Sequence, residues 1–129
     1  MNKDILILIV DDEPNMLRLT KLRLKELGFE NVIEATDGEG ALQRLSVEKV
    51  DLIISDWKMP DMDGLKLLQM LRTNKKYRDI PFLMVTSSNQ KNDIIEAAKS
   101  GVRYYVVKPF DRETLEKKLQ QILGVHDTD

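Results

Sequence analysis

Five short apolar runs recur along the chain, and each is followed by a stretch whose apolar residues return every three or four positions. Ile5 to Val10 is continuously apolar and largely β-branched. Such a run belongs to a strand covered on both faces, because a strand with one wet face alternates instead. Pro14 then opens a helix, with three acids ahead of it suited to its positive end, and Gly28 closes it. Asn31 to Ala35 is a shorter and weaker strand, expected at a sheet edge, and a helix follows from Gly38 to Leu45. Leu52 to Ile54 forms the third strand and runs out at Ser55-Asp56. The turn-rich loop Met59-Pro60-Asp61-Met62-Asp63-Gly64 leads into a helix over Leu65 to Arg72. Phe82 to Val85 is the fourth strand, and Ile94, Ile95, Ala97 and Ala98 mark a helical face ended by Gly101. Tyr104 to Val107 is the fifth strand, and Leu115, Leu119, Ile122 and Leu123 stripe the last helix.

Five strand–helix units with short connections, and no repeat or linker, predict an α/β fold. Right-handed crossovers give a parallel sheet sandwiched between helices. The 129 residues suit one domain, and 42% hydrophobic content is enough for a core. Charged residues make up 33%, with a net charge of −2 and both signs interspersed. That pattern offers no basic stripe for nucleic acid. The chain has no cysteine, which excludes disulfides and thiolate metal sites. The apolar run after Met1-Asn2-Lys3-Asp4 is too short for a signal peptide or a membrane span, so a cytosolic protein is expected.

In sheets of this kind ligands bind beyond the carboxyl ends of the strands. The first strand is followed there by Asp11-Asp12-Glu13, the third by Asp56, the fourth by Thr86-Ser87 and the fifth by Lys108-Pro109. Each has an ordinary reading when taken singly. The acids before Pro14 resemble helix caps, Asp56 a turn cap, Thr86 a loop hydroxyl and Lys108 a solvated cation. Those readings do not explain why all four end strands of one sheet. Clustered carboxylates repel one another unless a cation sits among them, and an all-oxygen set suits Mg²⁺. A metal, a lysine and a hydroxyl donor are the parts phosphoryl transfer uses, and a carboxylate can supply the nucleophile.

Asp11-Asp12, Asp56, Met59 to Gly64, Thr86 and Lys108-Pro109-Phe110 together resemble the signature of response-regulator receiver domains, over essentially the whole chain. Among receivers the chain is most similar to stand-alone chemotaxis regulators of the CheY type. That likeness rests on Asp56-Trp57, Thr86-Ser87, Lys91 with Ile94-Ile95, and Tyr105-Val106-Val107-Lys108-Pro109-Phe110. The resemblance implies a single doubly wound, flavodoxin-like (βα)5 domain over residues 1–124, with strand order 2-1-3-4-5 and a polar tail over 125–129. It implies that Asp56 is the phosphoacceptor and that Mg²⁺ is held by Asp12, Asp56 and the backbone carbonyl of Lys58, with Asp11 acting through water. Lys108 would pair with phosphoryl oxygens across a cis bond to Pro109. Thr86 would donate its hydroxyl, and Tyr105 would turn inward. The output surface would carry Lys91, Ile94, Ala98, Tyr105 and Lys118. Implied partners are a CheA-like sensor histidine kinase, a downstream protein such as the flagellar motor switch, and in some systems a dedicated phosphatase. A monomer is expected.

Lys58 stands where enteric regulators have asparagine, and Ser88 where they have an acid, so the phosphoryl lifetime is not carried over. Tyr104 and Gln121 also depart, from glycine and lysine, on the expected output face. Two readings outside signalling are weaker. A haloacid-dehalogenase-like phosphatase needs an aspartate two residues after its nucleophile, where this chain has Lys58. A flavin or nucleotide module needs a first loop rich in glycine or hydroxyls, where this chain has Asp11-Asp12-Glu13-Pro14. A phosphorelay intermediate, or a stand-alone regulator of another process, remains the alternative within the family. A DNA-binding output is not expected, since the sequence stops a few residues after the last helix. His126, the single histidine, reads as part of the polar tail.

Overall fold

A computed structural model of the chain describes residues 1–87 and 91–124, with Lys91 described in its backbone alone. Strands β1 (Ile7–Val10), β2 (Val32–Ala35), β3 (Leu52–Asp56), β4 (Phe82–Thr86) and β5 (Tyr104–Val107) alternate with helices. These are α1 (Pro14–Glu26), α2 (Gly38–Val47), α3 (Gly64–Arg72), α4 (Lys91–Lys99) and α5 (Arg112–Leu123). All four strand pairings are parallel, in the order β2-β1-β3-β4-β5. Ser88, His126 and the tail 125–129 lie outside the described residues, as does the side chain of Lys91.

Up to their carboxyl ends the central strands are apolar, over Ile7–Val10, Leu52–Ile54 and Phe82–Val85, because helices cover both of their faces. Leu8, Val10, Ile53 and Met84 point into one apolar cluster with Ala41 and Leu45 of α2, Leu67, Leu68 and Leu71 of α3, and Ala97 of α4. The alternate residues Ile7, Ile9, Leu52, Ile54, Leu83 and Val85 face Leu17 and Leu24 of α1 and Leu115 and Leu119 of α5. The period of two along a strand thus splits one run between two cores. Removing Leu67 or Leu119, both fully buried, to alanine costs roughly 2–5 kcal/mol on this account.

The first strand begins two residues later than its apolar run. Leu6 is taken out of the ladder by Asp51, whose side chain accepts from the Leu6 amide at 2.8 Å while its own amide donates to the Leu6 carbonyl at 2.9 Å. β2 is half-buried and pairs only with β1, the expected edge. Gly28 and Gly101 stop α1 and α4 at φ +96° and +98°, where a residue with Cβ would be strained.

Candidate functional site

The carboxyl ends of four strands deliver the side chains singled out in the sequence. The pairings Asp56↔Val85 and Thr86↔Val107 extend β3 and β4 to their last residues. Asp56 and Thr86 therefore project from ladder positions, not from loops, and the fourth strand runs one residue beyond the apolar stretch. Both are buried. The Asp56 side chain accepts from the Trp57 amide at 3.0 Å, and that amide also donates to the Val85 carbonyl at 2.9 Å. The Lys108 amide donates to the Thr86 carbonyl at 2.8 Å, and the following bond to Pro109 is cis.

The acids before Pro14 do not act chiefly as caps. Glu13 occupies the N-cap position of α1 without any side-chain capping bond. Its carboxylate instead stands 3.4 Å from the Lys108 ammonium. The same ammonium is 3.2 Å from Asp56 and 3.8 Å from Asp11. Asp11 accepts from the Glu13 amide at 2.9 Å, fixing the turn that aims all three acids. One carboxylate oxygen from each of Asp11, Asp12 and Asp56 lies within 4.8 Å of the others.

Burial sets the electrostatics. It pushes the Asp11 carboxyl up to about 6, with the Glu13 amide opposing and the Asp56 charge adding to the rise. Asp56 is raised by the same desolvation, against the pull of Lys108 and of the Trp57 amide. Desolvation pulls the Lys108 ammonium down, but the charges of Asp56, Asp11 and Glu13 outweigh it and leave it above its ordinary value. Even so, several carboxylates share one lysine, so the cluster is short of positive charge. A hard divalent cation with oxygen ligands meets that need, and the 4.8 Å spread is close to the roughly 4 Å between opposite ligands of Mg²⁺. The donor set fits Mg²⁺.

Two residues noted in the sequence without a role of their own contribute to the site. Glu13 holds Lys108 through a contact between residues 95 apart, which spacing along the chain does not reveal. Gly64 lets α3 approach β3, since a Cβ there would stand 2.2 Å from the Asp56 carbonyl oxygen. Its amide closes the loop by donating to the Trp57 carbonyl at 2.8 Å, while the Asp63 side chain caps α3 by accepting from the Lys66 amide at 2.9 Å. In the sequence Gly64 shows only as the last residue of the turn-rich Met59–Gly64 loop counted in the receiver signature, with no role of its own.

Trp57 is 3% exposed, so it is core as well as neighbour to Asp56. The exposed Lys58 lays its ammonium 4.3 Å from the Trp57 ring centroid. On the edge strand β5, Tyr105 is half-buried against the same apolar cluster as Trp57, which also includes Ala97, and the Lys118 ammonium sits 5.1 Å over its ring. Ile94 is half-buried and Ala98 exposed on α4.

Residues 7–120 match the family model of the response regulator receiver domain, and the chain belongs to that family. It is 44% identical over 122 residues to the chemotaxis protein CheY-3 of Vibrio cholerae, covering 95% of this chain and 94% of that one. It superposes on the chemotaxis protein CheY4 of Vibrio cholerae with TM-score 0.83 at 34% identity, over 92% of this chain and 98% of that one. The receiver domain of the sensor histidine kinase PA1611 from Pseudomonas aeruginosa, with a magnesium ion coordinated in its active-site cleft, matches with TM-score 0.83 at 27% identity, over 95% and 99%. No helix among the described residues is long and apolar enough to cross a membrane.

Proposed function

We propose that this receiver is a cytoplasmic phosphorylation switch in which Asp56 takes a phosphoryl group from the phosphohistidine of a CheA-like sensor histidine kinase. The observation that carries the reading is the buried Asp56 carboxylate, 3.2 Å from Lys108 and grouped with Asp11 and Asp12. An Asp56 oxygen forms the new P–O bond as the P–N bond to the donor imidazole breaks. The imidazole keeps the electron pair and takes up a proton. Asp12, Asp56 and the backbone carbonyl of Lys58 would hold Mg²⁺, with Asp11 acting through water. The bound ion supplies positive charge against the phosphoryl oxygens. Lys108 stands ready to exchange its carboxylate contacts for a phosphoryl oxygen, and the Thr86 hydroxyl, at the end of the neighbouring strand, donates to another.

The output is a shift between two populated conformations, not turnover of an external substrate. Drawing Thr86 toward the phosphoryl group moves the start of α4 and makes room for Tyr105 to turn inward. The face formed by α4, β5 and α5, with Lys91, Ile94, Ala98, Tyr105 and Lys118, is then read by a downstream protein. The similarity to chemotaxis proteins favours the flagellar motor switch as that target, and a dedicated phosphatase fits the same scheme. The phosphorelay intermediate is the alternative. Loading the chain from a phosphorylated CheA-like kinase separates the two. Tighter binding of the phosphorylated form to a motor-switch peptide supports the first reading, and efficient passage of the label to a histidine phosphotransfer domain supports the second. Failure of the kinase to label the chain contradicts both.

Lys58 lies beside the path of a water attacking the aspartyl phosphate. The Lys58→Asn variant is expected to lose label at a different rate, measured by phosphoprotein decay in Mg²⁺. Equal decay constants would contradict a role for Lys58.

A further inference from the structure

The amino-terminal edge of the sheet, opposite the Asp56 site, holds a cavity of about 260 Å³ between the end of α3 and the starts of β4 and β5. Arg72, Arg78 and Arg103 line it, against a single acid, Asp79. Such a concentration of positive charge is unexpected in a chain whose net charge is −2. Arg72 is pinned there by two hydrogen bonds from one guanidinium nitrogen, to the carbonyls of Arg78 at 2.9 Å and Ile80 at 3.0 Å. Among the described residues none of the three arginines stands within 4.0 Å of a carboxylate oxygen. Arg103 lies 5.4 Å from the Tyr104 ring centroid, so an aromatic wall adjoins the cationic one. Half-buried Ile80 and Ile122 add apolar surface to the wall, with Leu68 and Phe82 buried behind it. Burial lowers the Arg72 guanidinium, Asp79 opposes this, and the charge of Arg103 adds to it. An anion in the cavity relieves that crowding.

We propose that this cavity is a binding site for a small organic anion of the phosphomonoester or phosphonate class, with its apolar body against the half-buried Tyr104 and Ile122. Guanidinium forks match tetrahedral oxyanions through paired N–H donors, and a fixed fork loses little freedom on binding. The volume lies just under the usual range for drug-sized ligands, which limits the occupant to about one ring. Strands of five residues separate this site from Asp56 by on the order of 15 Å. Binding here is therefore independent of the phosphoacceptor reading.

The probe is phenylphosphonate, whose C–P bond cannot donate a phosphoryl group, titrated into the full chain in EDTA and followed by amide chemical shifts. Saturable shifts at residues 72, 78–80, 82 and 101–104 are expected, with inorganic phosphate binding more weakly. The Arg78→Gln/Arg103→Gln double variant should bind at least about tenfold more weakly, while its Mg²⁺-dependent phosphorylation by a small phosphodonor is unchanged. Shifts confined to residues 11–13, 56–58 and 108 would place the anion beside Lys108 and overturn the proposal. So would equal affinity in a double variant that is still phosphorylated.

Discussion

Lys108 is shared by Asp56, Glu13 and Asp11, and the consequences of that sharing are clearest at the buried Asp11. Its carboxyl, ordinarily near 3.8, is raised to about 6, so the folded chain holds that proton more tightly than the unfolded chain. A raised carboxyl contributes stability at low pH, and the contribution is lost as pH climbs from about 4 through about 6. In EDTA, the urea midpoint of the parent should therefore fall relative to Asp11→Asn between pH 4.5 and 7.5. Parallel midpoints for the two proteins across that interval would contradict the burial argument. Glu13 is different, being exposed. Its pairing with Lys108 is worth at most about 1 kcal/mol, and its use lies in steering the ammonium, not in stability.

At the scale of elements, α3 and the loop before it decide how well Asp56 is presented. Gly64→Ala would drive a methyl group into the Asp56 carbonyl, a backbone atom that cannot move without moving the strand end. Overpacking of this kind costs roughly 1–3 kcal/mol, and Mg²⁺ affinity should fall with it. Asp63→Ala removes only the helix cap, costing about 1 kcal/mol, with Mg²⁺ affinity little changed. Calorimetric titration of Mg²⁺ into both variants, alongside their urea midpoints, checks this contrast. Equal Mg²⁺ affinity in Gly64→Ala and the parent would show that the close approach does not matter to the site. The same region shows what sequence reading can reach. The central strands were legible because their apolar, largely β-branched runs are too short for a buried helix, and Asp56, Thr86 and Lys108 were legible because each follows a strand run. Asp63 was readable as part of a turn. The distance from Gly64 to the Asp56 carbonyl, the reach of Glu13 to Lys108 and the diversion of Leu6 by Asp51 depend on contacts between distant segments, which no local pattern encodes.

For the whole molecule, the parallel sheet separates charge by direction. The carboxyl edge gathers acids and one lysine, the amino edge gathers arginines, and the face of α4, β5 and α5 carries half-buried Tyr105 under Lys118. Two apolar cores hold these regions in one framework, so a charge placed on Asp56 acts against packed neighbours instead of a free loop. Everything proposed for the output depends on Asp56 receiving that charge. The most direct test is to incubate the chain with a small phosphodonor, with and without Mg²⁺, and to follow intact mass together with Trp57 fluorescence. A gain of one phosphoryl group that requires Mg²⁺ and is absent in Asp56→Asn is the predicted result. The same gain in Asp56→Asn would contradict the assignment of Asp56 as acceptor.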